Sequence, residues 1–234
     1  VGFGADGHYS SWRNKVIVED KLNYGGTLPS ELKFLQDGSK ILANSHDGQT
    51  IKIIDMKSRI SEEPIYARIV SYSNDFSKML LYDGSELSFS SDNGKTREII
   101  NLGDNLNLGL TKDGSVYQIS NDGRYFTSVW QKLGSPKPFL LLYDLETQEK
   151  QELELNSISP LLRFSDDGKA LYILDAKVGL KVYSTADLTE MESYPELQES
   201  ATSFLLSEDG ELLVLNRFSG TESLYSLANR KELG

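Results

Sequence analysis

The chain repeats itself, and that repeat limits its possible folds more than any other feature. A turn signature, Asp-Gly or its positional equivalent, recurs between apolar stretches. It reads Phe34-Leu35-Gln36-Asp37-Gly38, then Tyr72-Ser73-Asn74-Asp75-Phe76, then Ile119-Ser120-Asn121-Asp122-Gly123. Two more copies are Phe164-Ser165-Asp166-Asp167-Gly168 and Leu206-Ser207-Glu208-Asp209-Gly210. Counted at the fifth residue of each, the steps are 38, 47, 45 and 42 residues. A second marker, an apolar or aromatic residue followed by a small polar one, runs in phase with the first. It is Ile54-Asp55, Phe89-Ser90, Tyr143-Asp144, Tyr183-Ser184 and Tyr225-Ser226, lying 16, 13, 20, 15 and 15 residues past the turns. A unit this small cannot bury its own apolar face and must stack against its neighbours.

Between the markers the sequence reads as strands. Lys40 to Asn44, Met79 to Tyr82, Ala170 to Leu174 and Glu211 to Leu215 are short, apolar and bounded by turn residues. Thr50 to Ile54, Phe139 to Tyr143 and Leu180 to Tyr183 supply third strands. Asp-Gly between such runs is a hairpin signal, because these residues tolerate the positive φ of a tight turn. The one stretch with some helical periodicity, Ala186 to Leu197, is interrupted by Pro195. Units of about 40–45 residues with four short strands are propeller blades. The expected fold is all-β, a β-propeller of about five four-stranded blades. One ambiguity concerns the third unit, where Asp113-Gly114 precedes Asp122-Gly123 by nine residues, much as Asp37-Gly38 precedes Asp47-Gly48 by ten. If the earlier pair is the true marker, the third unit carries an insertion around Lys132 to Pro138. The count is five either way, with a partial sixth left open.

Exposed sheet edges invite unwanted pairing, and a closed ring removes them. The last unit shows three strands, near Thr202 to Leu206, Leu212 to Leu215 and Ser223 to Leu227. Lys15-Val16-Ile17-Val18-Glu19 is a spare β-branched segment. The sequence therefore predicts a single domain over 1–234, with a flexible arm at 1–14. A closing strand at 15–20 pairs into the last blade, and the blades cover about 30–64, 65–103, 104–155, 156–196 and 197–234. The start, Val1-Gly2-Phe3-Gly4, suggests a mature form or an excised piece of a longer protein.

The stretch Ile41-Leu42-Ala43-Asn44-Ser45-His46-Asp47-Gly48-Gln49-Thr50-Ile51-Lys52-Ile53-Ile54-Asp55 resembles a WD-repeat blade. Ile54 stands where that family has tryptophan, and one extra residue sits at Gly48. The other units resemble the family loosely, with tyrosine or phenylalanine replacing tryptophan. The only Gly-His pair, Gly7-His8, opens no blade, so the family's buried histidine-to-aspartate network is not expected. The resemblance implies a propeller used for interaction. A narrower one is Ser90-Ser91-Asp92-Asn93-Gly94-Lys95-Thr96, which is similar to the Asp-box of sialidase-like propellers, with Arg97 in place of the usual tryptophan. In that family the box stabilises a hairpin remote from the active centre.

Composition narrows the chemistry. Cysteine is absent, which excludes a thiol nucleophile, disulfides and cysteine-based zinc sites. A net charge of −11 runs against the basic surface that phosphates require, so no nucleic acid is expected. A chain of 234 residues buries roughly 70–75% of its unfolded surface and needs no metal staple. No apolar run is longer than Phe139 to Tyr143, far short of the ~20 residues that span a bilayer. The absence of cysteine and of Asn-x-Ser/Thr sequons tilts localisation towards a bacterial exported or surface protein over a cytoplasmic one. Gly-x-Ser-x-Gly is missing, His8 lies near the N-terminus and His46 in a turn, so a serine hydrolase is not supported. Gly2, Gly4 and Gly7 match the dinucleotide fingerprint only formally, with no strand before and no helix after. The in-phase acids Asp37, Asp75, Asp122, Asp167 and Asp209 belong to turn chemistry, and Asp166-Asp167 lacks the spacing of a calcium loop.

No cofactor, metal or catalytic residue is therefore expected. The loops joining second and third strands gather on one side of a propeller, and recognition concentrates on such loops. They hold His46, Asp83, Trp130, Lys132, Lys177, Arg217 and Phe218. Trp130, Arg217 and Phe218 suit an interface, since aromatic residues and arginine carry much binding energy. The expected function is a non-catalytic scaffold or protein-recognition module with a protein partner. The alternatives are a carbohydrate-binding or glycoside-processing propeller with carboxylates in its channel, and a sensor domain of a larger bacterial protein.

Overall fold

The computed structural model describes residues 2–3, 8–13, 16–21, 29–34, 38–45, 49–58, 64–73, 76–83, 86–92, 94–100, 117–131, 136–198 and 201–234, with the strands before residue 32 described by backbone course. A three-stranded antiparallel sheet comes first, with β1 (Gly2–Phe3), β2 (His8–Arg13) and β3 (Val16–Lys21). Five four-stranded antiparallel sheets follow among the described residues. The first sheet is β4 (Pro29–Phe34), β5 (Lys40–Ser45), β6 (Thr50–Asp55) and β7 (Ile65–Tyr66). The second is β8 (Arg68–Tyr72), β9 (Met79–Tyr82), β10 (Leu87–Ser90) and β11 (Glu98–Ile99). The third is β12 (Tyr117–Ile119), β13 (Tyr125–Gln131), β14 (Pro138–Asp144) and β15 (Lys150–Glu154). The fourth is β16 (Leu161–Phe164), β17 (Ala170–Asp175), β18 (Gly179–Ser184) and β19 (Glu190–Tyr194). The fifth is β20 (Ala201–Leu206), β21 (Leu212–Arg217), β22 (Glu222–Ser226) and β23 (Lys231–Glu232). In each, sequence neighbours pair in order.

These sheets are the expected all-β, four-stranded units, and burial explains why the strands read as they do. Whereas β21 in the fifth sheet has partly exposed residues between its buried ones, β9 and β14 are covered on both faces, so consecutive residues are buried, as at Met79-Leu80-Leu81 and Leu140-Leu141-Leu142-Tyr143. That is why they appear as continuous apolar runs rather than alternating ones. Fourth strands are half-exposed edges, and β15 alternates exposed and partly buried residues along its whole length. Ile54, the apolar residue of the first sheet's second marker, is buried at 3% exposure.

Contacts divide the chain into two compact units, residues 1–69 with 74–100, and residues 70–73 with 101–234. In the first unit the core is built on Ile41, Leu42, Ile51, Ile53 and Met79 to Leu81. In the second, the first strands of the third, fourth and fifth sheets meet successively, β12 on β16 and β16 on β20. The fourth and fifth sheets share one apolar cluster, with Leu174, Leu180 and Val182 facing Phe204, Leu213, Leu215 and Tyr225. Each fully buried side chain contributes about 1.5–3 kcal/mol, so the fourth and fifth sheets depend on one another through this cluster.

Two expectations change. Val16–Lys21 does not serve as the outer strand of the last unit: it pairs with His8–Arg13, and the fifth sheet takes Lys231–Glu232 as its fourth strand. Two backbone hydrogen bonds hold that edge, Leu233 N–H to the Leu224 carbonyl (2.7 Å) and Leu224 N–H to the Gly234 carbonyl (2.6 Å). The stretch expected as an arm, 1–14, holds strands β1 and β2. Ala186 to Leu197, whose helical periodicity Pro195 interrupts, contains strand β19 and one 3₁₀ turn, Pro195–Leu197, with that proline at its start. The marker of the third unit is Asp122-Gly123, which joins β12 to β13; Asp113-Gly114 lies outside the described residues.

Candidate functional site

The two ends of each sheet are built differently. At one end the first marker closes the turn between first and second strands. In the third, fourth and fifth sheets the same set of bonds recurs. Ser120 Oγ donates to Asp122, whose carboxylate accepts the N–H of Arg124 (3.0 Å), and Ser120 Oγ accepts the N–H of Tyr125 (2.9 Å). Ser165 and Asp167 repeat this with Lys169 (3.1 Å) and Ala170 (2.9 Å), and Ser207 and Asp209 with Glu211 (3.0 Å) and Leu212 (2.9 Å). The glycine of each turn is left-handed, with φ of 68°, 71° and 72° at Gly123, Gly168 and Gly210. Phe76, the fifth residue of the second copy, takes the same conformation at φ 59° while buried at 2% exposure. It pays backbone strain for a core position.

The second marker caps the turn between third and fourth strands at that same end. Asp55 accepts the N–H groups of Lys57 (3.0 Å) and Ser58 (2.7 Å), Ser90 that of Gly94 (2.8 Å), and Asp144 those of Glu146 (2.8 Å) and Thr147 (3.1 Å). Ser184 and Ser226 do the same for Ala186 (3.2 Å) and Asn229 (3.2 Å). The two turns are tied across the sheet, since the residue after the second marker donates to the one after the glycine: Met56 to Ser39, Leu145 to Arg124, Thr185 to Lys169 and Leu227 to Glu211, at 2.8–3.0 Å. In the third sheet a side-chain pair adds to this, with Arg124 donating to Asp144 through Nε (3.1 Å) and Nη2 (2.9 Å). Burial pushes the Asp144 carboxyl up, but the Arg124 hydrogen bonds and the Thr147 and Glu146 N–H groups outweigh it and hold it below the usual carboxylate range. The Asp-box behaves as a hairpin device: Asp92 accepts the N–H and hydroxyl of Thr96, both at 2.8 Å. Arg97 donates to the Tyr66 carbonyl (3.2 Å).

The opposite end of each sheet carries the second-to-third turns and the connections onward, and here the residues differ from sheet to sheet. Of the seven residues expected on a binding face, His46 and Lys132 lie outside the described residues. Asp83 is exposed and accepts the Glu86 N–H (3.0 Å). Trp130 is half-buried against Phe139, its cross-strand partner, at 6.1 Å between ring centroids. Lys177 sits in the β17–β18 turn, with Nζ 3.4 Å from the Asn156 carbonyl. Arg217 ends β21 and pairs with Glu232 (3.5 Å). Phe218 begins the turn to β22 and is 74% exposed. In the second unit Trp130, Lys177 and Arg217 each engage different neighbours.

A cavity of about 380 Å³, which sequence reasoning missed, lies against β21, β22 and the turn to β23 of the fifth sheet and spans both ends of it. Its walls come from Glu196, Leu197 and Gln198 in the connection after β19, from Leu215 and Arg217 on β21, and from Ser223 and Tyr225 on β22. Arg230, Lys231 and Glu232 complete the rim. Register explains the grouping, because Leu215 faces Ser223 and Tyr225 faces Glu232 across adjacent strands. Tyr225 donates to Glu196 (2.7 Å), and Arg230 lies over the Tyr194 ring at 4.6 Å with Nη1 3.9 Å from Glu196. The Tyr225 hydroxyl is pushed up to about 12 by burial and by its bond to Glu196, whose carboxyl that bond holds low. The Ser223 hydroxyl is buried and has no hydrogen-bond partner. The adjacent cations Arg230-Lys231 were the only sequence cue to this place. Tyr225 had been read only as part of a turn marker.

No protein family and no curated protein matches the chain. Among solved structures it is similar to the hydrazine synthase of Kuenenia stuttgartiensis, at 16% identity and a TM-score of 0.57, over 95% of this chain and 78% of that one. At that identity the likeness is one of fold.

Proposed function

We propose that the chain is a non-catalytic binding module that recognises a protein partner through its second-to-third strand turns. The fold supports a scaffold or binding role at the coarse level. What carries the finer reading is the contrast between sheet ends. One end spends its polar side chains on repeated turn caps, and the other presents varied residues, including a phenylalanine 74% exposed at the head of a turn. An exposed aromatic ring beside an arginine is the composition of an interface anchor. Among the described residues, the glycoside-processing alternative gains nothing from Asp122, Asp144, Asp167 and Asp209, since each caps a turn, while Asp37 and Asp75 lie outside those residues.

The test places a photoreactive phenylalanine analogue at position 218 in cells that make the protein, with the same analogue at the exposed Glu208 of the capped end as control. A discrete cross-linked protein from position 218, absent from position 208, is the expected result. Adducts from 208 alone, or equal unspecific labelling from both, would contradict the assignment.

A further inference from the structure

We infer that the outward face of the fifth sheet joins two copies of this chain into a two-fold dimer. Register defines that face. Leu205 lies opposite Val214, and Val214 opposite Leu224, so the three side chains point to one side. The edge strand continues the row, because its register sets Leu233 opposite Leu224. Leu205 is 52% and Leu233 49% exposed, with Val214 and Leu224 partly exposed between them. The other side of the same sheet carries Phe204, Leu213, Leu215 and Tyr225, which pack on the fourth sheet.

The repeat itself shows what such a row does. Arg163, Tyr172 and Val182 each stand 42 residues before Leu205, Val214 and Leu224, the same step that separates Gly168 from Gly210. They too form one row across their sheet, and that row meets the fifth sheet. Tyr172 and Val182 belong to the shared apolar cluster, and Arg163 Nε donates to the Phe204 carbonyl (3.3 Å). The row that fastens the fourth sheet to its neighbour therefore recurs in the fifth, with leucine in place of arginine, and there it is open to water. An apolar row of this kind is completed by another sheet packed on it, at about 10 Å. The other four sheets have no such opening at their second strands among the described residues. Consecutive residues are buried at Leu42-Ala43 in the first, Leu80-Leu81 in the second, Phe126-Thr127 in the third and Ile173-Leu174 in the fourth. A second copy thus brings the same open row and meets this one with it. Such a contact is isologous and closes at two copies. Its small area sets a dissociation constant of about 10–100 µM. The inference goes beyond the protein-recognition reading, because it rests on a sheet face and not on the turns that carry Phe218.

The experiment is sedimentation equilibrium of the intact protein from about 1 to 500 µM, a range that brackets such a constant. A reversible monomer–dimer equilibrium with no larger species is expected. Leu205→Arg, which installs the residue that the fourth sheet carries at that place, is expected to weaken the dimer about tenfold or more with an unchanged urea midpoint. Phe218→Ala is expected to dimerise like the parent, which separates this face from the recognition turns. The chain has no cysteine, so Leu205→Cys supplies a single thiol. Its alkylation under reducing conditions is expected to slow as protein concentration rises through the dimer range. A monomer at every concentration overturns the inference, and an unreactive thiol in that monomer assigns the cover to another part of the chain. Dimerisation of Leu205→Arg like the parent, or growth into larger species, overturns it as well.

Discussion

Asp144 concentrates what single side chains do in this protein. One oxygen caps two backbone N–H groups and the other takes Arg124, although the side chain is only 10% exposed. A lost cap costs about 1 kcal/mol and a lost hydrogen bond to a charged group about 1.5–3 kcal/mol. Asp144→Ala should therefore destabilise the protein by about 2–4 kcal/mol at pH 7, read from urea unfolding. The sign of the pH dependence follows from the lowered carboxyl. Ionised Asp144 stabilises the native state at any pH above its ordinary value near 3.9, and that contribution drains away as pH falls through the lower native value. Wild type should lose stability below about pH 4, and its advantage over Asp144→Ala should shrink with it. An unchanged gap between pH 7 and pH 2.5 would show that the carboxylate's charge contributes nothing.

At the scale of strands and turns, close approach matters as much as capping. Gly179 opens β18 with φ +86°, and a Cβ there would strike the carbonyl of Tyr194 and crowd Cα of Pro195 at 2.9 Å. Both obstacles are backbone, so neither can swing aside. Left-handed strain of about 1–2 kcal/mol and overpacking of about 1–3 kcal/mol predict a cost of about 2–4 kcal/mol for Gly179→Ala. Its thermal midpoint should fall by several degrees, whereas Gly220→Ala, with open space around its Cβ, should pay only the strain. Elements also show what a sequence exposes to reading. Strands such as β9 and β14 were legible because burial on both faces leaves unbroken apolar runs, and the turns because Asp, Ser and Gly each perform a specific bond or dihedral. Fourth strands were not. Lys231–Glu232 is two exposed charged residues with no periodicity, so the more strand-like Val16–Lys21 attracted the assignment. Edge strands are often charged for a physical reason, because an apolar edge would pair with other chains.

For the molecule as a whole, the period was legible and the cavity was not. Five turn markers announce five four-stranded sheets because each marker falls between the first and second strands of its sheet. The cavity has no such signature: Glu196, Ser223 and Arg230 come from three separate segments, and only strand register and the connection after β19 bring them together. The binding-face residues were placed by topology, which fixes the sheet end each occupies but not the partner each side chain finds, as the packing of Trp130 on Phe139 shows. The account rests on repeated sheets protected at their middle strands and capped at one end. Amide hydrogen exchange followed residue by residue reads that directly. Slow exchange should recur at 79–82 with 87–90, 125–131 with 138–144, 170–175 with 179–184 and 212–217 with 222–226, joined by the capped amides of Thr147, Lys169 and Glu211, while Glu98–Ile99 and Lys231–Glu232 exchange fast. Protection running through the turns as one continuous stretch, or lying outside these pairs, would contradict it.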